Sequence, residues 1–182
     1  MDDEEQNDTM IVVFVGETDL DYVRDIAKQI QLRFPEYCDN GLIEVISPPS
    51  SYYPNMDKLR VTLNDPIERV KWRSKQNLDF AFLMAYSQIK ATFYVQLEDD
   101  ILAKRGYISI MKQFAVAKTA KQEQDPWFVL DFCQLGFIGE WKISYFYMKK
   151  NSHLSTKGFC MRIISDKRTS TLSSVVDILS GN

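Results

Sequence analysis

Three consecutive carboxylates, Glu98-Asp99-Asp100, follow directly on the apolar, β-branched run Thr92-Phe93-Tyr94-Val95-Gln96-Leu97. Such a run reads as a strand, and in open α/β sheets ligands bind outside the carboxyl ends of strands. Packing three negative charges together costs Coulomb energy unless a cation neutralises them. A hard divalent ion with oxygen ligands does so directly, and Mg²⁺ or Mn²⁺ suits carboxylates. Such an ion takes few protein ligands and completes its shell with water and substrate phosphates, so the chemistry implied is binding of a nucleotide diphosphate. An acidic turn that caps a helix accounts for the same triplet. Receiver domains and haloacid-dehalogenase-like phosphatases also place carboxylates at strand ends, but each wants acidic residues early in its first unit, a layout this sequence does not follow.

Other side chains exclude more than they suggest. Cys38, Cys133 and Cys160 are isolated, and His153 is the one histidine, so no zinc-ligand spacing arises. At most one disulfide can form, and Cys133 sits in an apolar run that suits a buried thiol. The formal charge of -3, with no clustering of Lys and Arg around aromatic residues, argues against a nucleic-acid partner. Asn7-Asp8-Thr9 is a glycosylation sequon, which carries weight only in a lumenal chain.

The elements that must position the triplet are legible in the periodicity. With 182 residues, 45% hydrophobic and 26% charged, the chain fits one globular domain. Residues 1–10 read as a polar, solvated arm. Ile11 to Val15 is a continuous apolar strand of the kind buried on both faces. From Asp21, Val23, Ile26, Ala27, Ile30 and Phe34 recur at helical spacing, with Thr18 and Asp21 resembling a capping box. Asn40-Gly41 marks a turn, Leu42 to Ile46 a second strand, and Pro48-Pro49 its end. This β-α-β order predicts an α/β layered domain with parallel strands. Ser50 to Leu63, with Tyr52, Tyr53 and Pro54, reads as a surface loop. Asp65-Pro66-Ile67-Glu68 has the makings of a capped helix start. The helix is expected to run to about Ile89, with Ile67, Val70, Leu78, Ala81, Phe82, Ala85 and Ile89 facing a core and Arg69, Arg73, Gln76 and Asn77 on another side.

Five segments occur in a telling order: Phe14-Val15-Gly16-Glu17-Thr18-Asp19; Glu44 to Pro49 with Tyr52-Tyr53-Pro54; Trp72-Arg73-Ser74-Lys75-Gln76-Asn77-Leu78-Asp79; Gln96 to Ile101; and Gln134-Leu135-Gly136-Phe137-Ile138-Gly139. Together they resemble the N-acetylglucosaminyltransferase IV family, the α-1,3-mannosyl-glycoprotein 4-β-N-acetylglucosaminyltransferases. The resemblance implies a Rossmann-like GT-A type nucleotide-sugar-binding sheet with flanking helices, incomplete at both ends. It implies transfer of GlcNAc from UDP-GlcNAc to the 4-position of the α-1,3-arm mannose of an N-glycan acceptor. It further implies Mn²⁺ held by Asp100, with Glu98 and Asp99 facing the nucleotide. Arg73 and Asn77, with Gln76, fall in a matching segment and would line the donor pocket, although helix packing accounts for them equally well. Asp131 stands where the family commonly has Glu.

The likeness covers Ile11 to Gly139 and stops there. Residues 140–182, rich in Ser, Thr and Lys, are expected to be a divergent and disordered tail, with a short helix at Leu172 to Leu179. The family's membrane anchor, stem and first nucleotide-binding strand are expected upstream of this chain, which itself shows no signal or anchor. The general base of an inverting transferase is expected beyond Gly139, so no catalytic residue is assigned. The resemblance also implies a place in the Golgi lumen and association with other Golgi glycosyltransferases. The competing reading is a catalytically inactive regulator or binding partner of such an enzyme.

Overall fold

The computed structural model describes residues 1–97, 103–120, 129–131, 145–148, 157–165 and 179. Its elements are α1 (Asp3–Asn7), β1 (Thr9–Val15), α2 (Leu20–Arg33), α3 (Pro35–Asp39), β2 (Ile43–Ile46), α4 (Ile67–Ser87), β3 (Ala91–Leu97), α5 (Tyr107–Thr119), β4 (Val129–Asp131), β5 (Tyr145–Met148) and β6 (Lys157–Ser165). The architecture is α/β, as the β-α-β pattern predicts. One six-stranded sheet runs in the order β2-β1-β6-β3-β5-β4. The four strands β2, β1, β6 and β3 are mutually parallel, whereas β5 pairs antiparallel with both β3 and β4.

All seven residues of β1 are buried, which is why its sequence is continuously apolar instead of alternating. Alternation is still at work in three dimensions. Ile11 and Val13 join Phe93, Val95 and Leu97 in a core closed by Ile30 of α2 and by Ile108, Met111 and Ala115 of α5. Met10, Val12 and Phe14 face the other way and pack on Leu83 of α4 with Tyr94. Each fully buried side chain of this size contributes about 1.5–3 kcal/mol, so β1, anchored in both layers, is the centre of the fold.

Local chemistry differs from the sequence expectations in instructive ways. The N-cap of α2 is Asp19, whose Oδ1 accepts from the amides of Asp21 and Tyr22 at 3.1 and 3.3 Å, not Thr18. Helix α4 starts after Pro66 without a side-chain cap, because the Asp65 carboxylate is taken by Arg73 and Arg69. Its buried stripe is Val70, Asp79, Leu83 and Ser87. Ile67, Ala81, Ala85 and Ile89 are exposed. The helix is thus rotated from the apolar face the periodicity suggests, and the rotation buries an aspartate whose partners are described below.

Residues 1–10 are not a solvated arm. Asp2 and Glu5 form a reciprocal capping box on α1, and Glu5 is only 5% exposed. Helix α5 begins at Gly106 in the left-handed region with no cap of its own. Glu5 Oε1 fills that role from across the fold, accepting from the Ser109 amide at 3.1 Å and its hydroxyl at 2.9 Å. An orphan donor at the positive end of a helix is thereby satisfied by a carboxylate. The expected tail contributes two strands, β5 and β6, and β6 inserts between β1 and β3. Leu179 packs on the core, and its carbonyl accepts from the Met1 amino group at 2.6 Å; the rest of the helix expected at Leu172 to Leu179 lies outside the described residues. Among the described residues no helix is long and apolar enough to cross a membrane.

Candidate functional site

From β1 the chain crosses through α2 to β2 on one side; from β2 it returns through α4 to β3 on the opposite side of β1. The strand order therefore reverses between β1 and β3, and at such switch points open sheets form a ligand crevice outside the carboxyl ends of the strands. The register makes the geometry definite. Val13 of β1, Ile163 of β6 and Leu97 of β3 are aligned. Gly16 follows β1 and the acidic triplet follows β3 in sequence, and the two strands end at the same edge of the sheet. The two strands are separated by β6 alone, about 10 Å at ordinary strand spacing.

Around the exit of β1 the structure brings together segments far apart in sequence. Lys75 Nζ donates to the Gly16 carbonyl at 2.6 Å and to Asp79 Oδ2 at 2.8 Å. The Tyr53 hydroxyl donates to Asp79 Oδ1 at 2.5 Å, and the Lys75 ammonium lies 5.3 Å from the centre of the Tyr53 ring. Next to it, the Tyr52 hydroxyl donates to the Leu78 carbonyl at 2.9 Å, and its ring meets Phe82 edge-on. Asp79 is buried yet has both oxygens engaged, which is what makes its burial affordable. Burial, followed by the hydrogen bond and charge of Asp79, pushes the Tyr53 hydroxyl well above the usual tyrosine range, and Glu17 adds to the effect. Gly16 completes the cluster by what it lacks. A Cβ there would stand 3.1 Å from Asp79 Oδ2 and 3.2 Å from Lys75 Nζ, so glycine lets the ion pair close over the β1 exit without displacement.

Arg73, one turn before Asn77 on α4, is committed to the helix approach: its guanidinium pairs with Asp65 and donates to Thr62 Oγ1 at 3.0 Å. Asn77 is exposed. Glu98, Asp99 and Asp100 lie outside the described residues. What leads into them is described: Gln96 is buried at 2% exposure, and its Oε1 has no hydrogen-bond partner among the described residues. The register also sets Asp131 of β4 level with Tyr145 and Gln96, at the same end of the sheet. Among the described residues no group of three His, Cys, Asp or Glu could hold a metal.

The residues that meet at the β1 exit are those of the recurring segments: Gly16 from the first, Tyr52 and Tyr53 from the second, Lys75 and Asp79 from the third. Residues 1–145 match the MGAT4 conserved region. The chain belongs to the N-acetylglucosaminyltransferase IV family. It is 50% identical over 137 residues to alpha-1,3-mannosyl-glycoprotein 4-beta-N-acetylglucosaminyltransferase A of Xenopus tropicalis and 49% identical to that of Bos taurus, in each case over 75% of this chain and 25% of the relative. The corresponding B protein of Homo sapiens is 49% identical over 75% of the chain and 24% of its own length. The chain thus spans about a quarter of the length of these relatives. No solved structure matches it. Within this family, sequence reasoning singled out Glu98 to Asp100, Arg73 and Asn77 but missed Lys75, Asp79 and Tyr53 as a unit. The signal was present as the i, i+4 spacing of Lys75 and Asp79, which places both on one helix face; only the fold shows that Tyr53 arrives from the loop.

Proposed function

We propose that this chain forms the donor-binding part of a glycosyltransferase of N-glycan branching, which transfers GlcNAc from UDP-GlcNAc to the 4-position of the α-1,3-arm mannose in the Golgi lumen. The observation that carries the proposal is the convergence of three family segments on the β1 exit, at the switch point in the parallel part of the sheet, whose other flank, β3, leads in sequence to three carboxylates. On this reading the sheet is of the GT-A type, Glu98 and Asp99 face the nucleotide and Asp100 holds Mn²⁺. When bound, the ion would neutralise the diphosphate and stabilise charge on the departing UDP. Lys75 and Asp79 fix the Gly16 carbonyl and hence the course of Gly16 to Asp19 along one wall of the crevice. Tyr53 ties the second loop to the same carboxylate, so both loops are held before donor arrives. No residue of the described chain is assigned as the base that deprotonates the acceptor hydroxyl.

The test is calorimetric titration of UDP-GlcNAc into the purified chain with and without Mn²⁺. Saturable binding that requires Mn²⁺ and is lost in Asp100→Ala is expected. A folded sample that binds no donor with the metal present would overturn the reading and favour a regulator that binds a glycosyltransferase without using donor.

A further inference from the structure

The sequon Asn7-Asp8-Thr9 plays no part in the proposed donor site, and the structure treats its two ends oppositely. Asn7, the last residue of α1, is exposed. It borders an open, polar cavity of about 320 Å³ shared with Asp3, Gln6 and Asn40. Thr9, two residues on, is the first residue of β1 and is completely buried. Its hydroxyl has no hydrogen-bond partner among the described residues. A buried hydroxyl without a partner gives up its hydration for nothing, and valine would fill the same space without that loss. The folded strand therefore has no use for the one atom that distinguishes threonine from valine here. A sequon does use it, because the hydroxyl at the third position is what an acceptor asparagine requires.

We infer that Asn7 is an N-glycosylation site, modified before β1 folds and conceals the Thr9 hydroxyl. The inference rests on the lumenal location proposed above. The co-reactant is an oligosaccharide linked to a polyprenyl diphosphate. The Asn7 amide nitrogen attacks the anomeric carbon, and the bond from that carbon to the diphosphate oxygen breaks. The lipid diphosphate leaves with the electron pair, and the amide nitrogen gives up one proton to the transferring enzyme. The position is compatible with the donor site. Asn7 precedes the amino end of β1 and Gly16 follows its carboxyl end, so a seven-residue strand, about 23 Å long, separates the glycan from the crevice.

The test uses the full natural gene product in sealed microsomes from cells that express it. Protease protection reports the compartment. Glycosidase release in heavy-oxygen water, which converts a glycosylated Asn7 to labelled aspartate, reports the modification. We expect a protected protein with label at Asn7, a downward mobility shift on glycosidase treatment, loss of that shift in Asn7→Gln and Thr9→Val, and its retention in Thr9→Ser. Thr9→Val should remain folded by circular dichroism, which separates loss of the sequon from loss of structure. A protected protein with unmodified Asn7 would overturn the inference and leave the proposed function standing. Digestion in intact vesicles would overturn the lumenal reading, and the inference with it.

Discussion

The bond from the Tyr53 hydroxyl to Asp79 offers the sharpest check on the β1-exit cluster. Tyr53→Phe deletes the donor and leaves a nearly isosteric ring. Asp79 is 9% exposed and keeps Lys75 on its other oxygen, so the carboxylate loses one of its two partners but is not left bare. Hydrogen bonds to charged groups contribute about 1.5–3 kcal/mol, and Lys75, at 41% exposure, is too solvated to take up the loss. The expected cost is about 2 kcal/mol in urea unfolding followed by far-UV circular dichroism, with an unchanged dependence on denaturant. Asp79→Asn retains an acceptor but loses the charge, and should cost a similar amount or less. Because both changes act on one shared bond, Tyr53→Phe by deleting it and Asp79→Asn by removing its charge, the double variant should fall short of their sum by about 1–2 kcal/mol. The hydroxyl titrates above its ordinary value of 10.0 in the folded chain. Its contribution is therefore intact below about pH 10 and is lost as pH rises beyond that value, since only the unfolded chain then releases the proton freely. The Tyr53→Phe chain should lose stability less steeply on that alkaline side. Costs that add within about 0.5 kcal/mol, or a Tyr53→Phe variant as stable as the parent, would refute the argument that this bond ties the loop to α4.

Glu5→Ala should destabilise by about 2 kcal/mol, because it strips α5 of its cap and leaves the Ser109 amide without that acceptor; thermal unfolding reads this, and Glu5→Gln should recover part of it. Gly16→Ala should cost about 1 kcal/mol through displacement of the ion pair it would touch, and that cost should largely vanish in an Asp79→Ala background. Arg73→Ala should lower stability by about 1–2 kcal/mol, since it breaks the pair with Asp65 and the bond to Thr62, while Mn²⁺-dependent donor binding survives in calorimetry. Tyr107, whose hydroxyl burial and Glu5 hold above the ordinary tyrosine range, should add to the loss of stability above pH 10, and Tyr107→Phe should reduce that slope.

The sequence revealed those elements whose signal is one-dimensional. The apolar run of β1, the helical repeat of α2 and the Asn40-Gly41 turn, where Gly41 has φ +77 and the Asn40 side chain accepts from Leu42, all follow from residues close in the chain. What could not be read is long-range. Nothing local says that the carboxylate of Asp65 serves Arg73 and not the helix start, or that Glu5 caps a helix more than a hundred residues away. The face of α4 departs in part from its periodicity for the same reason: Val70 is buried as expected, but Ala81, Ala85 and Ile89 are exposed. A hydrophobic count turns Ala81 and Ala85 inward and Asp79 outward, because it cannot know that Tyr53 and Lys75 will satisfy Asp79. The strand β6 was hidden by composition, since a stretch between Ser- and Lys-rich segments shows little of its partners.

That placement of β6 bears on how the crevice is built. Matching with the family ends at residue 145, yet β6, drawn from residues 157–165, is the strand that joins the β1 exit to the β3 exit. The two flanks of the proposed donor site, Gly16 with its ion pair and the acidic triplet after Leu97, belong to the family segment, but their separation and relative height are fixed through β6. Ser165 aligns with Val15, and Ile163 with Leu97, so a register slip of one residue in β6 would shift one flank against the other by about 3.3 Å. A diphosphate held between the two proposed flanks would tolerate little of that. The chemistry of this site therefore depends on family residues, while its geometry depends on a strand that the family likeness does not reach.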